Sequence, residues 1–135
     1  MEATTQTHVF RLKPGQDLKK ELQDYVQRNK IEAGWIITCV GSLTQTHIRF
    51  ANQPQGTRTS GYFEIVSLAG TLSMNGSHLH ISVSDSTGLT MGGHLLDGNI
   101  VYTTAEIVIG SSNEFIFTRE KDGTTQWEEL QVKMR

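Results

Sequence analysis

Polar and apolar positions alternate along most of this chain, and most cleanly between Gly76 and Ser84. There Leu79, Ile81 and Val83 fall on one parity, and His78, His80, Ser82 and Ser84 on the other. Strict alternation predicts a strand with one buried face and one wet face. The same period predicts a first strand over residues 7–13 and further strands over 44–50, 62–72 and 99–109. Residues 114–119 and 128–133 read as a closing hairpin. Trp35-Ile36-Ile37-Thr38-Cys39-Val40 is apolar on both parities, which predicts a strand buried on both faces. One stretch has the helical period: Leu18, Leu22, Tyr25 and Val26 recur at i, i+4, i+7 and i+8. Asp17 is its expected N-cap, and Asn29 the expected left-handed cap at the other end.

Turn signals punctuate these elements. Pro14-Gly15, Asn75-Gly76 and Asp122-Gly123 mark tight turns, and Asn75-Gly76 joins the strand over 62–72 to the one that follows. Gly41-Ser42-Leu43 reads as a turn or bulge, and Gly70 as a bulge inside its strand. Between Ala51 and Ser60 no apolar residue follows Ala51, so this is a surface loop and the expected place for disorder. The expected fold is α+β: one domain over 1–135 with a core of about 7–133. Its sheet is mixed but largely antiparallel, with one main flanking helix. A chain of 135 residues can bury a real core.

Composition narrows the function classes. Net charge is −2, which gives no electrostatic case for nucleic-acid binding. The single cysteine, Cys39, rules out an internal disulfide and lies in an apolar run, so an inert core thiol is expected. The first residues carry no basic start and no apolar stretch of the secretory type, and no apolar run approaches a membrane span. An intracellular location is expected, cytoplasm ahead of nucleus.

The candidate chemistry centres on histidine. His78 and His80 point the same way from one strand, roughly 6.5–7 Å apart at their Cα atoms. His94 follows Gly92-Gly93, in a loop that could bring a third imidazole to the same face, the glycines permitting close backbone approach. Three histidines with an open fourth position form a catalytic pattern for zinc or another divalent transition metal. The plainer reading is that these are solvent-face histidines. His8 and His47 have no sequence partner and read as ordinary histidines.

Glu64 and Glu106 interrupt apolar strand segments. Either could orient a histidine by accepting its Nδ1–H, act as general base, or simply face water. Asp85 and Asp97 fit turn roles. No Gly-x-Ser-x-Gly elbow, Gly-x-Gly-x-x-Gly or Walker pattern is present. Arg49, Arg58, Arg119 and Lys121 are dispersed in sequence and make a patch only if the fold gathers them.

Four blocks stand in order: Gly61-Tyr62-Phe63-Glu64-Ile65-Val66-Ser67-Leu68-Ala69-Gly70, Gly76-Ser77-His78-Leu79-His80, Gly92-Gly93-His94-Leu95 and Thr104-Ala105-Glu106-Ile107. With these blocks the chain resembles the PPC (plants and prokaryotes conserved) domain family from residue 7 to near residue 133. The resemblance implies an α/β domain on a mixed sheet, a homotrimer, and, as in some prokaryotic relatives, a metal on His78, His80 and His94. In plants the domain follows AT-hooks, centred on Arg-Gly-Arg-Pro. No such motif occurs here, so direct nucleic-acid binding is not carried over. The fold is also similar to that of zinc enzymes such as acetolactate decarboxylase, a likeness that by itself assigns no activity. Two functions follow. One is a metal-dependent enzyme acting on a small molecule; the other is a non-enzymatic trimerisation module that binds a partner and could be DNA-associated through such partners.

Overall fold

In this computed structural model, which describes residues 4–135, eight strands and one helix follow in the order β1(Thr5–Leu12), α1(Leu18–Arg28), β2(Gly34–Arg49), β3(Thr57–Ser73), β4(Gly76–Ser84), β5(Thr90–Leu95), β6(Ile100–Ser112), β7(Phe115–Glu120) and β8(Glu129–Met134). Six strands form one sheet in the order β1-β6-β2-β3-β4-β5, and β7 and β8 form a separate hairpin. Every strand pairing among the described residues is antiparallel, where a mixed sheet was expected. The β1-α1-β2 start has helix and strands as expected, but β6 inserts between β1 and β2 and pairs with both.

α1 forms where the apolar period placed it. Leu18, Leu22 and Val26 are fully buried against the sheet. Burying each such side chain stabilises by roughly 1.5–3 kcal/mol relative to leaving it in water. Asp17 caps the helix by accepting from Lys20 N at 3.3 Å, and its other oxygen accepts from Gly98 N at 2.7 Å. The left-handed residue beyond the helix is Lys30, with φ 52°, rather than Asn29, whose φ is −96°.

β2 departs from expectation in two ways. It runs through Gly41-Ser42-Leu43 as a single bulged strand, with register shifts on either side of Leu43. It is also not buried on both faces: Cys39 is buried, but Ile37 and Val40 are exposed. The helix and core occupy the inner face of the sheet, and the β7–β8 hairpin reaches the outer face near β3 and β4. Among the described residues, the apolar outer positions Ile37 and Val40 of β2 stay more than half exposed.

β3 begins at Thr57, so the ordered strand absorbs the end of the stretch expected to be a loop. Its bulge falls between Ile65 and Ser67, not at Gly70. Gly70 has φ 145°, and a Cβ there would collide with the His78 carbonyl on the neighbouring strand. It serves close strand approach instead. Met74 and Asn75 form the turn into β4, as the Asn75-Gly76 signal predicts. β5 closes the system by pairing with β4 and also with the end of β2, through Ile48↔Leu95 and Arg49↔His94. Strands β2, β3, β4 and β5 thus form a closed ring. Buried side chains from the helix and from β1 to β6 join a single hydrophobic cluster.

Candidate metal centre

His78 and His80 sit two apart on β4, with Leu79 and Ile81 turned into the core. His94 lies on β5 directly opposite His80. It belongs to a strand, not to the loop expected from the sequence. Its neighbours Gly92 and Gly93 pass close to β4 and β2, and Cβ atoms on them would press on the carbonyls of Ile81 and Arg49. Larger residues would push β5 away.

The three imidazoles converge. His78 Nε2 and His80 Nε2 are 3.2 Å apart, and one nitrogen from each of the three rings lies within 4.8 Å of the others. Two ligands about 2.05 Å from a tetrahedral zinc ion stand about 3.3 Å apart, so the closest pair already has metal-ligand spacing. Burial first, then the Arg49 guanidinium, pushes the His94 imidazole down to about 4. Burial first, then Arg119, lowers His78 as well. Both rings are therefore neutral near pH 7, the form that binds metal.

The two sequence-predicted acids are not brought to this cluster. Glu64 is exposed and lies opposite Ser84, four positions along β4 from His80, roughly 13 Å away at strand rise. Glu106 is exposed and lies opposite Val40, whereas the β2 residue beside His94 is Arg49. Nine positions separate those two points, on the order of 25–30 Å. Among the described residues neither acid hydrogen-bonds to any of the three imidazoles.

A carboxylate that does reach the cluster is Glu129 of β8, whose charge acts on His78 and on Arg119. Its Oε2 accepts from Thr125 Oγ1 at 2.8 Å. Sequence reading missed Glu129 because the β7–β8 hairpin folds back onto the β3–β4 turn, a contact no local pattern announces. Asn75 makes that contact specific. Its Oδ1 accepts from Arg119 N, and its Nδ2 donates to Arg119 O, both at 3.0 Å.

The remaining histidines are satisfied elsewhere. His8 Nε2 lies 2.9 Å from Ser111 Oγ, and His47 Nδ1 donates to Asp97 O at 2.6 Å. Asp85 closes a turn by accepting from Thr87 N and Leu89 N. Cys39 is buried, which pushes its thiol up to about 12 and leaves it unreactive. Among the described residues no helix is long and apolar enough to cross a membrane.

A cleft of about 820 Å³ opens beside the cluster, with His78 and His94 in its wall. The fold gathers Arg49, Arg119 and Lys121 there, although they are far apart in sequence. Trp127 shares the wall, with the Arg49 guanidinium 5.6 Å from the centre of its ring.

Comparison with known proteins places this architecture. A hypothetical protein of Salmonella cholerae-suis superposes with a TM-score of 0.96 at 40% identity, over 100% of this chain and 98% of that one. A candidate DNA-binding protein of Bacteroides thetaiotaomicron superposes with a TM-score of 0.81 at 20% identity, over 96% of both chains. A metal-containing protein of Archaeoglobus fulgidus does so at 0.80 and 22%, over 96% of this chain and 95% of that one. At 20% and 22%, these last two likenesses show the fold alone. In sequence, 92% of the chain matches the bifunctional protein GlmU of two Synechococcus strains at 44% identity, but it spans only 20% of their length. The family model for the Plants and Prokaryotes Conserved (PCC) domain matches residues 1–113. This chain belongs to that family, which the four sequence blocks resembled.

Proposed function

We propose that His78, His80 and His94 hold one divalent transition metal, zinc first, and that the cleft beside it presents a small molecule to the ion. The observation that carries this reading is the convergence of three imidazole nitrogens, two of them 3.2 Å apart, on strands that fix their direction. Three protein ligands leave a fourth position open, the arrangement of catalytic zinc sites. A bound ion of this kind supplies a Lewis acid and a water of lowered pKa. The chain's own part is to keep the His78 and His94 imidazoles neutral, hold all three on strands of one sheet and place Glu129 within range of the site. Glu64 and Glu106 have no place in this reading.

The domain works as a homotrimer. Support comes from the resemblance to the family and from the apolar residues left exposed on the outer sheet face. Val40, Tyr62 and Val66 are each more than half exposed. A non-enzymatic trimerisation module is the second reading, favoured by that same face.

The test is elemental analysis of protein purified without a histidine tag. About one metal per chain is expected, falling to background in His80→Ala while the fold persists. Native protein that takes up no zinc, and whose stability zinc leaves unchanged, overturns the metal reading and leaves the module.

A further inference from the structure

Beside the histidines, the cleft concentrates positive charge that no ion pair among the described residues neutralises. The ion pairs among the described residues are Arg28–Asp24 and Arg135–Glu32, so Arg49, Arg119 and Lys121 have none. Two of the three are held in place. Arg49 stands directly opposite His94 across the β2–β5 ladder, so both side chains leave the sheet on the same side. Its guanidinium is braced by Trp127. Arg119 is fixed by three hydrogen bonds: two join its backbone to Asn75, and Nη2 donates to Thr71 Oγ1 at 2.6 Å. Thr71 in turn stands opposite His78 on the β3–β4 ladder. Each arginine is thus tied to the ladder position of a different histidine.

We infer that this cleft binds a small molecule through an oxyanion group, a carboxylate or a phosphate, held by Arg49 and Arg119 beside the three histidines. Guanidinium groups pair with such anions through parallel N–H···O bonds, and a held guanidinium loses less entropy on doing so. Arg49 acts by charge on His94 and Arg119 on His78, and all four line the cleft, so an anion held by the arginines would lie beside the histidines. Glu128 and Glu129 also line the cleft. They limit its net charge and select against an extended polyanion. Three cations in a concave site also neutralise few of the phosphates that a duplex presents along its length.

The inference uses the proposed metal site only to say where the rest of the ligand points, and the anion contact is testable without metal. Inorganic phosphate and malonate are titrated separately into metal-free protein, followed by Trp127 fluorescence with Trp127→Phe as control. Arginine Nε–H shifts in a nitrogen–proton spectrum provide the second readout. At least one anion should bind with a dissociation constant on the order of 1 mM or tighter. Its affinity should fall at least tenfold in Arg49→Gln and again in Arg119→Gln. The stronger anion identifies the class. Because the titration uses metal-free protein, failure of the metal reading does not decide the outcome. The proposal is overturned if neither anion binds, if the double arginine variant binds as well as native protein, or if a DNA duplex binds more tightly than either anion at physiological salt.

Discussion

At His94 two demands meet in one side chain. A metal would require it neutral, and burial first, then the Arg49 guanidinium, press its pKa down to about 4. The unfolded chain has no such environment, and its imidazole titrates near 6.5. Between those values the unfolded state carries the extra proton, so metal-free protein loses stability as pH falls from about 6.5 toward about 4. Above 6.5 both states are neutral and the contribution vanishes. Urea unfolding at pH 7.5, 6 and 5 should show the decline, and His94→Gln should reduce it. Because His78 and His94 are both lowered, metal at the proposed site should be lost at a lower pH than from a site of unshifted histidines, measurable as metal retained after dialysis. The alternation rule made His78 and His80 legible as a pair, because strand parity depends only on near neighbours. Glu129 and Arg119 were not legible as site residues, since the chain reaches them through a distant hairpin.

At the scale of elements, period and turn chemistry identified α1, the β3–β4 hairpin and the β7–β8 hairpin. What they could not supply was the closure of the ring. Asn99 stitches it. Fully buried, its side chain accepts from His47 N at 3.0 Å and donates to His47 O at 2.9 Å and Leu96 O at 2.7 Å. These bonds tie the end of β2 to the end of β5, the place where Arg49 meets His94. Asn99→Ala leaves several buried partners unsatisfied, and a loss of about 2–4 kcal/mol is expected from chemical denaturation. Metal affinity should drop with it, although Asn99 is not among the candidate ligands. Gly70→Ala should cost about 2 kcal/mol or more, from its left-handed φ and from contact with the His78 carbonyl. The sequence marked Gly70 as special but assigned it a bulge, because a close strand approach and a bulge leave the same lone glycine in a strand pattern.

For the whole molecule, the informative disagreement is β2. A segment apolar on both parities was expected to be covered twice, yet one chain covers it once. Ile37, Val40, Tyr62, Val66 and Tyr102 remain on the outside, with the Tyr62 and Tyr102 rings packed on each other at 5.0 Å. These exposed apolar positions support the proposed trimer, in which another copy would supply the second layer. Light scattering should give the mass of three chains, and Val40→Lys combined with Val66→Lys should shift it toward one. Unchanged mass in that variant would place the contact elsewhere.

The His80↔His94 ladder also has a consequence in time. All three imidazoles ride on one local hairpin, β4 and β5, whereas Arg49 joins them only when the ring closes. Local pairings form early and distant ones late. The three candidate ligands should therefore assemble before the barrier to folding is crossed, and the arginines after it. Zinc added at the start of refolding should accelerate the folding arm of the chevron, while Arg49→Gln should act mainly on the unfolding arm.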